Sequence, residues 1–380
     1  MSRRPGVVGR LTRDLAAVVG AVRGTGNARD IQVVGYRGFG TPSEVFVSGR
    51  VLLGRSLAPA AETDPWWRNL ANTYRRMESD EVPGAHVRVR IGDAVRDAVS
   101  VDEGFFRTWL KPTAPLPADR LWHRVELELL DGRGATGVTH VLTPPPDAAF
   151  GIISDLDDTV VRTDATNLLR MMRGVLFSNA RTRLPFEGVA AFYQALHRGA
   201  SDAAANPIFY VSSSPWNLYD ALVEFLEHRD IPMGPLLLRD WNVRRGSALP
   251  TGHRSHKLDV IRQVLDAFPT LPFLLLGDSG QQDPEIYAEV VAEYPERIRG
   301  IYIRDVTGHA ARRASISELA HQVHEAGSVL VLAEDTVAAA RHAAGNGWIS
   351  ASAIDGIRAE RARAHAPGRS PPEHEPIVLD

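Results

Sequence analysis

Apolar and polar positions follow two different rhythms in the two halves of the chain. In residues 31–141 short runs alternate apolar with charged side chains, as three apolar residues do with two arginines in 87–91 and with two glutamates in 125–129. This period of two predicts β-strands that bury one face, and glycines and prolines mark the turns between them. The pattern predicts an antiparallel β-sandwich, interrupted by one helix over residues 65–77.

The second half alternates short apolar runs with stretches of helical periodicity. Apolar runs without polar alternation are typical of parallel strands that helices cover on both faces. The alternation therefore predicts a doubly wound parallel α/β sheet. Its six strands are predicted over residues 150–154, 208–211, 235–238, 273–276, 301–304 and 329–332. Its helices are predicted over residues 187–199, 215–228, 255–267, 284–294 and 316–326.

Three segments bound these two domains. Residues 1–27 place apolar side chains at helical spacing among arginines, which predicts an amphipathic basic helix that packs on the protein or lies on an anionic membrane surface. Three prolines at 144–146 mark a stiff linker, so the sandwich is predicted over 28–146 and the α/β domain over 147–350. Residues 351–380 are rich in Arg, Ala, Glu and Pro, which predicts a frayed helix followed by a flexible C-terminal tail.

Composition narrows the class of protein. With 380 residues, 44% hydrophobic residues and a net charge of −3, the chain is predicted to be a soluble globular protein that does not bind nucleic acid. It has no cysteine, which excludes disulfides, thiolate metal sites and cysteine nucleophiles. Charged residues interrupt the first apolar run, so neither a signal peptide nor a spanning helix is predicted there. The expected location is the cytoplasm, with peripheral contact at the inner face of the membrane left open.

Polar side chains collect where the predicted parallel strands end. Ligands of such sheets bind beyond the carboxyl ends of the strands, so we expect these side chains to converge. Several carboxylates in one small volume repel each other unless a cation or a shared proton is present, although helix capping is the simpler alternative. The candidate residues, in chain order, are Asp155, Asp157, Thr159, Ser212, Ser213, Lys257, Asp278 and Asp283.

This set suits phosphoryl transfer through a covalent aspartyl phosphate. Asp155 would attack phosphorus, and Asp157 would protonate the leaving oxygen and then act as base toward water. Mg²⁺ is the predicted cofactor, with Asp155, Asp157, Asp278 and Asp283 as its candidate ligands. Lys257 and the hydroxyls of Thr159, Ser212 and Ser213 would contact the phosphoryl oxygens. Lys257 is one of only two lysines in an arginine-rich chain, which suggests a requirement for a compact ammonium group.

Two other chemistries fit the sequence less well. His253 and His256 are spaced as zinc ligands on a helix, but no third nitrogen or sulfur ligand accompanies them. None of the serines at 212–214 stands in a Gly-x-Ser-x-Gly motif, which disfavours a serine hydrolase of that type.

Longer strings resemble a known family. These are SDLDDTV at 154–160, YVSSSPWNLY at 210–219, GPLLLRD at 234–240, His256-Lys257, and GDSGQQDPE at 277–285. They are similar to the catalytic domain of the actin-patch-associated phosphatidate phosphatases, lipin-related members of the haloacid-dehalogenase superfamily. The resemblance covers residues 148–345. It implies a Rossmann-like sheet of the haloacid-dehalogenase type and Mg²⁺-dependent removal of phosphate from phosphatidate, which gives diacylglycerol.

Substrate selection is expected from other residues than the phosphate site. Residues 161–185 are predicted to form a small cap whose apolar face either meets the lipid, with Arg181 and Arg183 at an anionic head group, or packs on the core. Trp216 and Tyr219 are further candidates for lipid contact. The same chemistry on a soluble phosphomonoester is one alternative. A non-catalytic lipid-binding scaffold is another, although it would predict a lost nucleophile, acid or metal ligand. The sequence identifies no protein partner.

Overall fold

The computed structural model describes residues 30–54, 80–132, 134–156, 188–202, 205–239 and 253–365. The amphipathic segment predicted over 1–27, the helix predicted over 65–77 and the predicted cap 161–185 lie outside the described residues. Four predicted site residues also lie outside them, namely Asp157, Thr159, Arg181 and Arg183.

The N-terminal half forms strands at the positions where apolar and charged residues alternate. Val87, Val89 and Leu127 point inward and are buried, while the charged residues between them face outward. The strands are β1 Asp30–Thr41, β2 Glu44–Gly54, β3 Asp80–Glu81, β4 His86–Ile91, β5 Ala94–Val99, β6 Phe105–Leu110, β7 Trp122–Leu129 and β8 Thr136–Leu142.

These eight strands belong to one hydrogen-bonded sheet rather than to the two stacked sheets of the predicted sandwich. The order is β3-β2-β1-β8-β7-β4-β5, and β6 pairs with β2. The sheet is continuous because the long strand β1 pairs with β2 on one side and with β8 on the other, and the β1–β8 pair is parallel. Arg96 of β5 donates to the carbonyl of Trp109 in β6 at 3.2 Å, which brings the two ends of the sheet together. Alternation along single strands does not encode this pairing, so the sequence prediction was wrong on the number of sheets and on the parallel pair.

The second half is a parallel sheet between helices. Its strands are β9 Gly151–Asp155, β10 Ile208–Pro215, β11 Leu236–Arg239, β12 Phe273–Asp278, β13 Ile298–Arg304 and β14 Leu330–Ala333. Within the described residues the helices are α1 Val189–Arg198, α2 Tyr219–His228, α3 His253–Ala267, α4 Asp283–Glu293, α5 Ala310–Glu325, α6 Thr336–Gly345 and α7 Ala353–His365. The strand order β11-β10-β9-β12-β13-β14 reverses direction at β9. This places a crevice at the carboxyl ends of β9 and β12.

Both faces of this sheet are buried, which explains the unbroken apolar runs. Ile152 packs with α1, α2, α6 and α7, whereas its neighbour Ile153 packs with α3, α4 and α5. Each large apolar side chain buried in this way contributes about 1.5–3 kcal/mol. The assignment of the sheet to the haloacid-dehalogenase type stays a prediction. None of the helices in the described part of the chain is long and apolar enough to cross a bilayer.

Helix α7 lies inside the segment that the sequence predicted as a frayed helix followed by a flexible tail. The helix itself was expected, but its description as frayed was wrong, because Ile357 is fully buried and Glu360 accepts a hydrogen bond from the backbone N–H of Ala191 at 2.8 Å. Glu360 thus satisfies one of the free N–H groups in the first turn of α1, where no local side chain caps the helix. Few apolar residues mark α7 in the sequence, so the sequence does not show that Glu360 attaches this helix to α1.

A bulge in β1 joins the two halves of the molecule. The register between β1 and β2 shifts between Tyr36 and Phe39, and the N–H of Arg37 donates instead to the hydroxyl of Tyr219 at 2.8 Å. The ring of Tyr36 stacks on Trp216, with centroids 4.4 Å apart, and Phe39 packs edge-on against Phe209. Tyr36 and Phe39 therefore enter the cores on opposite faces of the parallel sheet.

Candidate active site

Asp155 is the last residue of β9 and lies at the point where the strand order reverses. Its neighbour across the ladder is Val211 of β10, and the N–H of Leu156 donates to the Val211 carbonyl at 3.1 Å. Ser212, which follows Val211, is therefore at the same edge of the sheet. The side chain of Asp155 is only 3% exposed, so its charge requires compensation from nearby groups.

Lys257 supplies part of that compensation. It lies in the second turn of α3 and is 3% exposed. Its Nζ is 2.8 Å from Oδ1 of Asp155 and 2.7 Å from Oδ1 of Asp283, so one ammonium bridges carboxylates from β9 and from the start of α4. At such distances the positive charge of the ammonium offsets part of the negative charge of both carboxylates.

The turn after β12 brings two further carboxylates to the same edge. Oδ1 of Asp278 accepts hydrogen bonds from the N–H groups of Gly280 at 2.6 Å and Gln281 at 3.2 Å. Oδ2 of Asp283 accepts from the N–H of Asp278 at 3.1 Å. Asp283 is completely buried at the start of α4, and its carboxylate thereby ties the lysine to the end of β12.

Asp155, Asp278 and Asp283 each present a carboxylate oxygen, and these atoms lie within 4.8 Å of one another. Together with the bridging ammonium of Lys257, the four side chains carry a net charge of about −2 when ionised. Such a buried group of oxygens with excess negative charge has the chemical character of a site for a divalent cation that prefers oxygen ligands.

Gly277 is required by this geometry. A Cβ at this position would lie 2.5 Å from Oδ2 of Asp283, the oxygen that accepts from the Asp278 N–H. We expect Gly277→Ala to displace Asp283 and to lower the free energy of unfolding by about 1–3 kcal/mol, the usual effect of overpacking. Urea denaturation in metal-free buffer measures this change.

Gly356→Ala is the matched control for that substitution. Gly356 lies in α7, and a Cβ there would meet nothing within 4 Å. We expect it to leave stability unchanged or to increase it by about 0.5–1 kcal/mol, because alanine favours a helix interior. Equal urea midpoints for Gly277→Ala and the wild type would show that Asp283 is not held as closely as described.

The loop between Asp278 and Asp283 is fixed from outside by side chains that the sequence interpretation did not single out. Arg312 of α5 donates from Nε to the Ser279 carbonyl at 2.9 Å and from a terminal nitrogen to the Gln281 carbonyl at 2.6 Å, and it forms an ion pair with Glu285. Ser279 Oγ accepts from the N–H of Val306 at 2.9 Å. No local sequence signal marks these contacts, because each joins segments that are more than 20 residues apart.

A buried hydroxyl pair supports the strand that carries Asp155. The hydroxyls of Ser154 and Tyr193 are 2.7 Å apart, and Ser154 Oγ also donates to the backbone carbonyl of Asp155 at 3.0 Å. Burial raises the pKa of Tyr193 to about 12, so the phenol stays protonated and available for this hydrogen bond at neutral pH. The pair positions the backbone of β9 without taking part in the charged cluster.

The remaining predicted residues divide into two groups. Ser212 and Ser213 are buried at the end of β10, beside Asp155, and Ser212 Oγ accepts from the N–H of Ser214 at 3.0 Å. Trp216 and Tyr219, the candidates for lipid contact, pack against β1 and β6 of the N-terminal sheet, and their role toward lipid stays a prediction. Burial raises the pKa of Tyr219 to about 12, in keeping with a packed position.

The family described as "Phosphatidate phosphatase APP1, catalytic domain" matches residues 150–305. The phosphatidate phosphatase APP1 of Saccharomyces cerevisiae is 34% identical over 155 residues, which are 41% of this chain and 26% of that protein. An uncharacterised protein of Schizosaccharomyces pombe is 35% identical over 161 residues, 41% of this chain and 25% of its own length. This chain therefore aligns with only about a quarter of each relative.

Among solved structures, a variant of the PilB minor pilin from Streptococcus sanguinis has 10% identity and a TM-score of 0.26, over 76% of this chain and 90% of that one. A likeness this low does not indicate a shared fold. The family match includes Asp155, Lys257, Asp278 and Asp283 within its span of residues. Residues 150–305 are therefore similar to the catalytic domain of the APP1 phosphatidate phosphatases.

Proposed function

We propose that this chain is a phosphatase that removes the phosphate of phosphatidate to give diacylglycerol. One observation carries the proposal, namely that Asp155, Asp278 and Asp283 converge within 4.8 Å while Lys257 bridges two of them. The similarity of residues 150–305 to the family supports the choice of substrate, because the yeast relative is described as a phosphatidate phosphatase.

Magnesium fits the donor set. Asp155, Asp278 and Asp283 offer oxygen ligands alone, which Mg²⁺ prefers, and their excess negative charge matches a divalent cation. We propose that Asp155 and Asp278 supply the main ligands, because both oxygens of Asp283 also serve Lys257 and the Asp278 N–H. Asp157 is the remaining predicted ligand. When bound, the metal would withdraw charge from the phosphoryl oxygens and so ease attack by an anionic nucleophile.

The protein's own residues perform the transfer in this proposal. A carboxylate oxygen of Asp155 forms a bond to phosphorus as the bond from phosphorus to the ester oxygen breaks, which leaves an aspartyl phosphate. Asp157 gives its proton to the departing oxygen and later takes one from the water that hydrolyses the intermediate. Lys257, already 2.8 Å from Asp155, stabilises the negative charge that collects on the transferred group. At the end of the reaction Asp155 is again a free carboxylate, and Asp157 again carries a proton.

Phosphate release from a panel of substrates tests the proposal. The panel compares phosphatidate in mixed micelles with soluble sugar phosphates and nucleotides, with and without Mg²⁺, and uses Asp155→Asn as the blank. We expect Mg²⁺-dependent release from phosphatidate that exceeds release from every soluble compound. Faster release from a soluble phosphomonoester would retain the chemistry and overturn the lipid substrate. No release above the blank from any substrate would overturn the phosphatase.

Substitution of Asp278 tests the metal site without substrate. In Asp278→Asn the amide oxygen still accepts from the N–H groups of Gly280 and Gln281, so the turn is retained while one negative charge is lost. We expect the Mg²⁺ dissociation constant, measured by calorimetric titration, to rise at least about tenfold. Asp259→Asn is the control, because this carboxylate lies on α3 but is exposed and pairs with Arg262. Equal Mg²⁺ affinity in both variants would exclude Asp278 as a ligand.

A further inference from the structure

Arg312 makes an unusual set of contacts for a residue in the first turn of a surface helix. Its single guanidinium donates to two backbone carbonyls of the loop after β12, those of Ser279 at 2.9 Å and Gln281 at 2.6 Å. The same group pairs with Glu285 in the first turn of α4, with one of the hydrogen bonds at 3.0 Å. Arg312 lies outside residues 150–305, so the family match does not mark it.

The carbonyl of Ser279 and the N–H of Gly280 belong to one peptide group. Because a peptide group is planar and rigid, the direction of its carbonyl fixes the direction of its N–H. That N–H donates to Oδ1 of Asp278 at 2.6 Å, the shorter of the two backbone hydrogen bonds to this oxygen. The contact between Arg312 and Ser279 therefore bears on the rotation of the Asp278 carboxylate through a single rigid unit.

A guanidinium holds the loop after β12 better than any other side-chain group could. Its nitrogens lie in one plane and donate in several fixed directions, so it contacts two carbonyls and a carboxylate together. Glu285 holds the charged group in place from the side of α4. A lysine ammonium at this position would keep the charge but could not reproduce the fixed fork of donors.

We propose that Arg312 is a positioning residue of the metal site, which orients the carboxylate of Asp278 through the peptide group between Ser279 and Gly280. The metal itself rests on the proposed function, but the orientation of the peptide does not. Loss of the guanidinium leaves this peptide free to rotate, so Asp278 loses its backbone hydrogen bonds and holds Mg²⁺ less well. Groups that orient metal ligands in this way typically change metal affinity by about 10- to 100-fold when removed.

Three variants test the proposal: R312Q, R312K and the control R262Q. Arg262 is a matched control because it also joins a helix to α4 through a paired carboxylate, Glu293, at 2.8 and 2.5 Å, yet touches neither the loop nor Asp278. Two measurements are made without substrate. Calorimetry with MgCl₂ gives the dissociation constant, and hydrogen exchange in metal-free buffer reports protection of the Gly280 and Gln281 amides. Thermal unfolding shows whether the variants are equally folded.

We expect R312Q to bind Mg²⁺ about 10- to 100-fold more weakly than the wild type and to lose protection at both amides, while R262Q changes neither. R312K is expected to resemble R312Q, since charge alone does not hold the peptide. Should R312Q fail to fold, R312K decides the question by the same two measurements. Wild-type Mg²⁺ affinity and wild-type protection in the folded Arg312 variants would overturn the positioning role.

The two measurements separate this inference from the proposed function. If the wild type bound no Mg²⁺, the metal in the proposed function would be wrong, and the exchange measurement alone would then decide the inference. Lost protection in R312Q would support control of the loop by Arg312, and unchanged protection would overturn it. If the wild type binds Mg²⁺ and R312Q binds it equally well, the inference fails and the proposed function stands.

Discussion

Asp155→Asn is expected to lower phosphatase activity at least about 10³-fold at saturating Mg²⁺, a loss in the range found when the nucleophile of a hydrolase is removed. The amide that replaces the carboxylate has nearly the same shape but carries no charge and is a poor nucleophile toward phosphorus. Asp155 is the last residue of β9, the strand at which the sheet order reverses, so its side chain lies at the edge of the sheet where ligands of such folds bind. Phosphate release from phosphatidate is the measurement.

The fold of this variant is expected to survive. Lys257 keeps its contact with Asp283 at 2.7 Å, and the loss of one of three crowded carboxylates removes repulsion in the metal-free protein. We therefore expect the thermal unfolding midpoint without metal to equal or exceed that of the wild type. If the folded variant kept more than about one hundredth of the wild-type rate, the assignment of Asp155 as nucleophile would be wrong.

The sequence predicted local features of the second half well. Six apolar runs coincide with β9 to β14 to within a few residues, because strands buried on both faces leave an unmistakable run of apolar side chains. The positions of Asp155 and Asp278 at strand ends follow from the same runs, since the run stops where the polar cluster begins. The structure brings these two residues together because β9 and β12 are neighbours. Their roles in metal binding and catalysis stay predictions until they are measured.

Features that depend on contacts between distant segments could not be predicted. Trp216 and Tyr219 follow the serines of β10, and the sequence does not show that the bulge in β1 brings Tyr36 and Arg37 against them. The continuous N-terminal sheet depends on the same strand, which pairs on both edges. The sequence shows which positions are apolar, but it does not show which edges of a strand pair with other strands.

The contact through β1 also has a functional consequence. The end of β10, which contains Ser212 and Ser213, leads directly into Trp216 and Tyr219, and these two side chains are held by the N-terminal sheet. The N-terminal half is thus part of the framework that fixes the end of β10 beside Asp155. A fragment that begins at the linker prolines would expose the apolar partners of Tyr36 and Phe39 to water, at a cost of about 25 cal/mol per Å².

Lys257→Met is the second substitution with a large expected effect. Methionine has a similar length but no charge, so it would leave Asp155 and Asp283, whose side chains are 3% and 0% exposed, without their bridging ammonium. Breaking a buried ion pair from one side typically lowers the free energy of unfolding by about 3–5 kcal/mol. We expect a loss of this size in metal-free buffer and a smaller loss with excess Mg²⁺, because a bound cation would replace part of the missing positive charge. Urea denaturation in the two buffers measures both values.

Activity is expected to fall about 10²- to 10³-fold even at saturating Mg²⁺, since one fixed donor to the transferred group is missing. Lys257→Arg separates charge from geometry, because it keeps the charge but replaces a compact ammonium with a larger planar group, and we expect it to recover stability more than activity. The other lysine provides the control. Lys111 is 72% exposed and pairs with Glu44 at 3.2 Å, so Lys111→Met should change stability by less than about 1 kcal/mol. Equal effects of the two methionine substitutions on stability and rate would mean that Lys257 has no special role between Asp155 and Asp283.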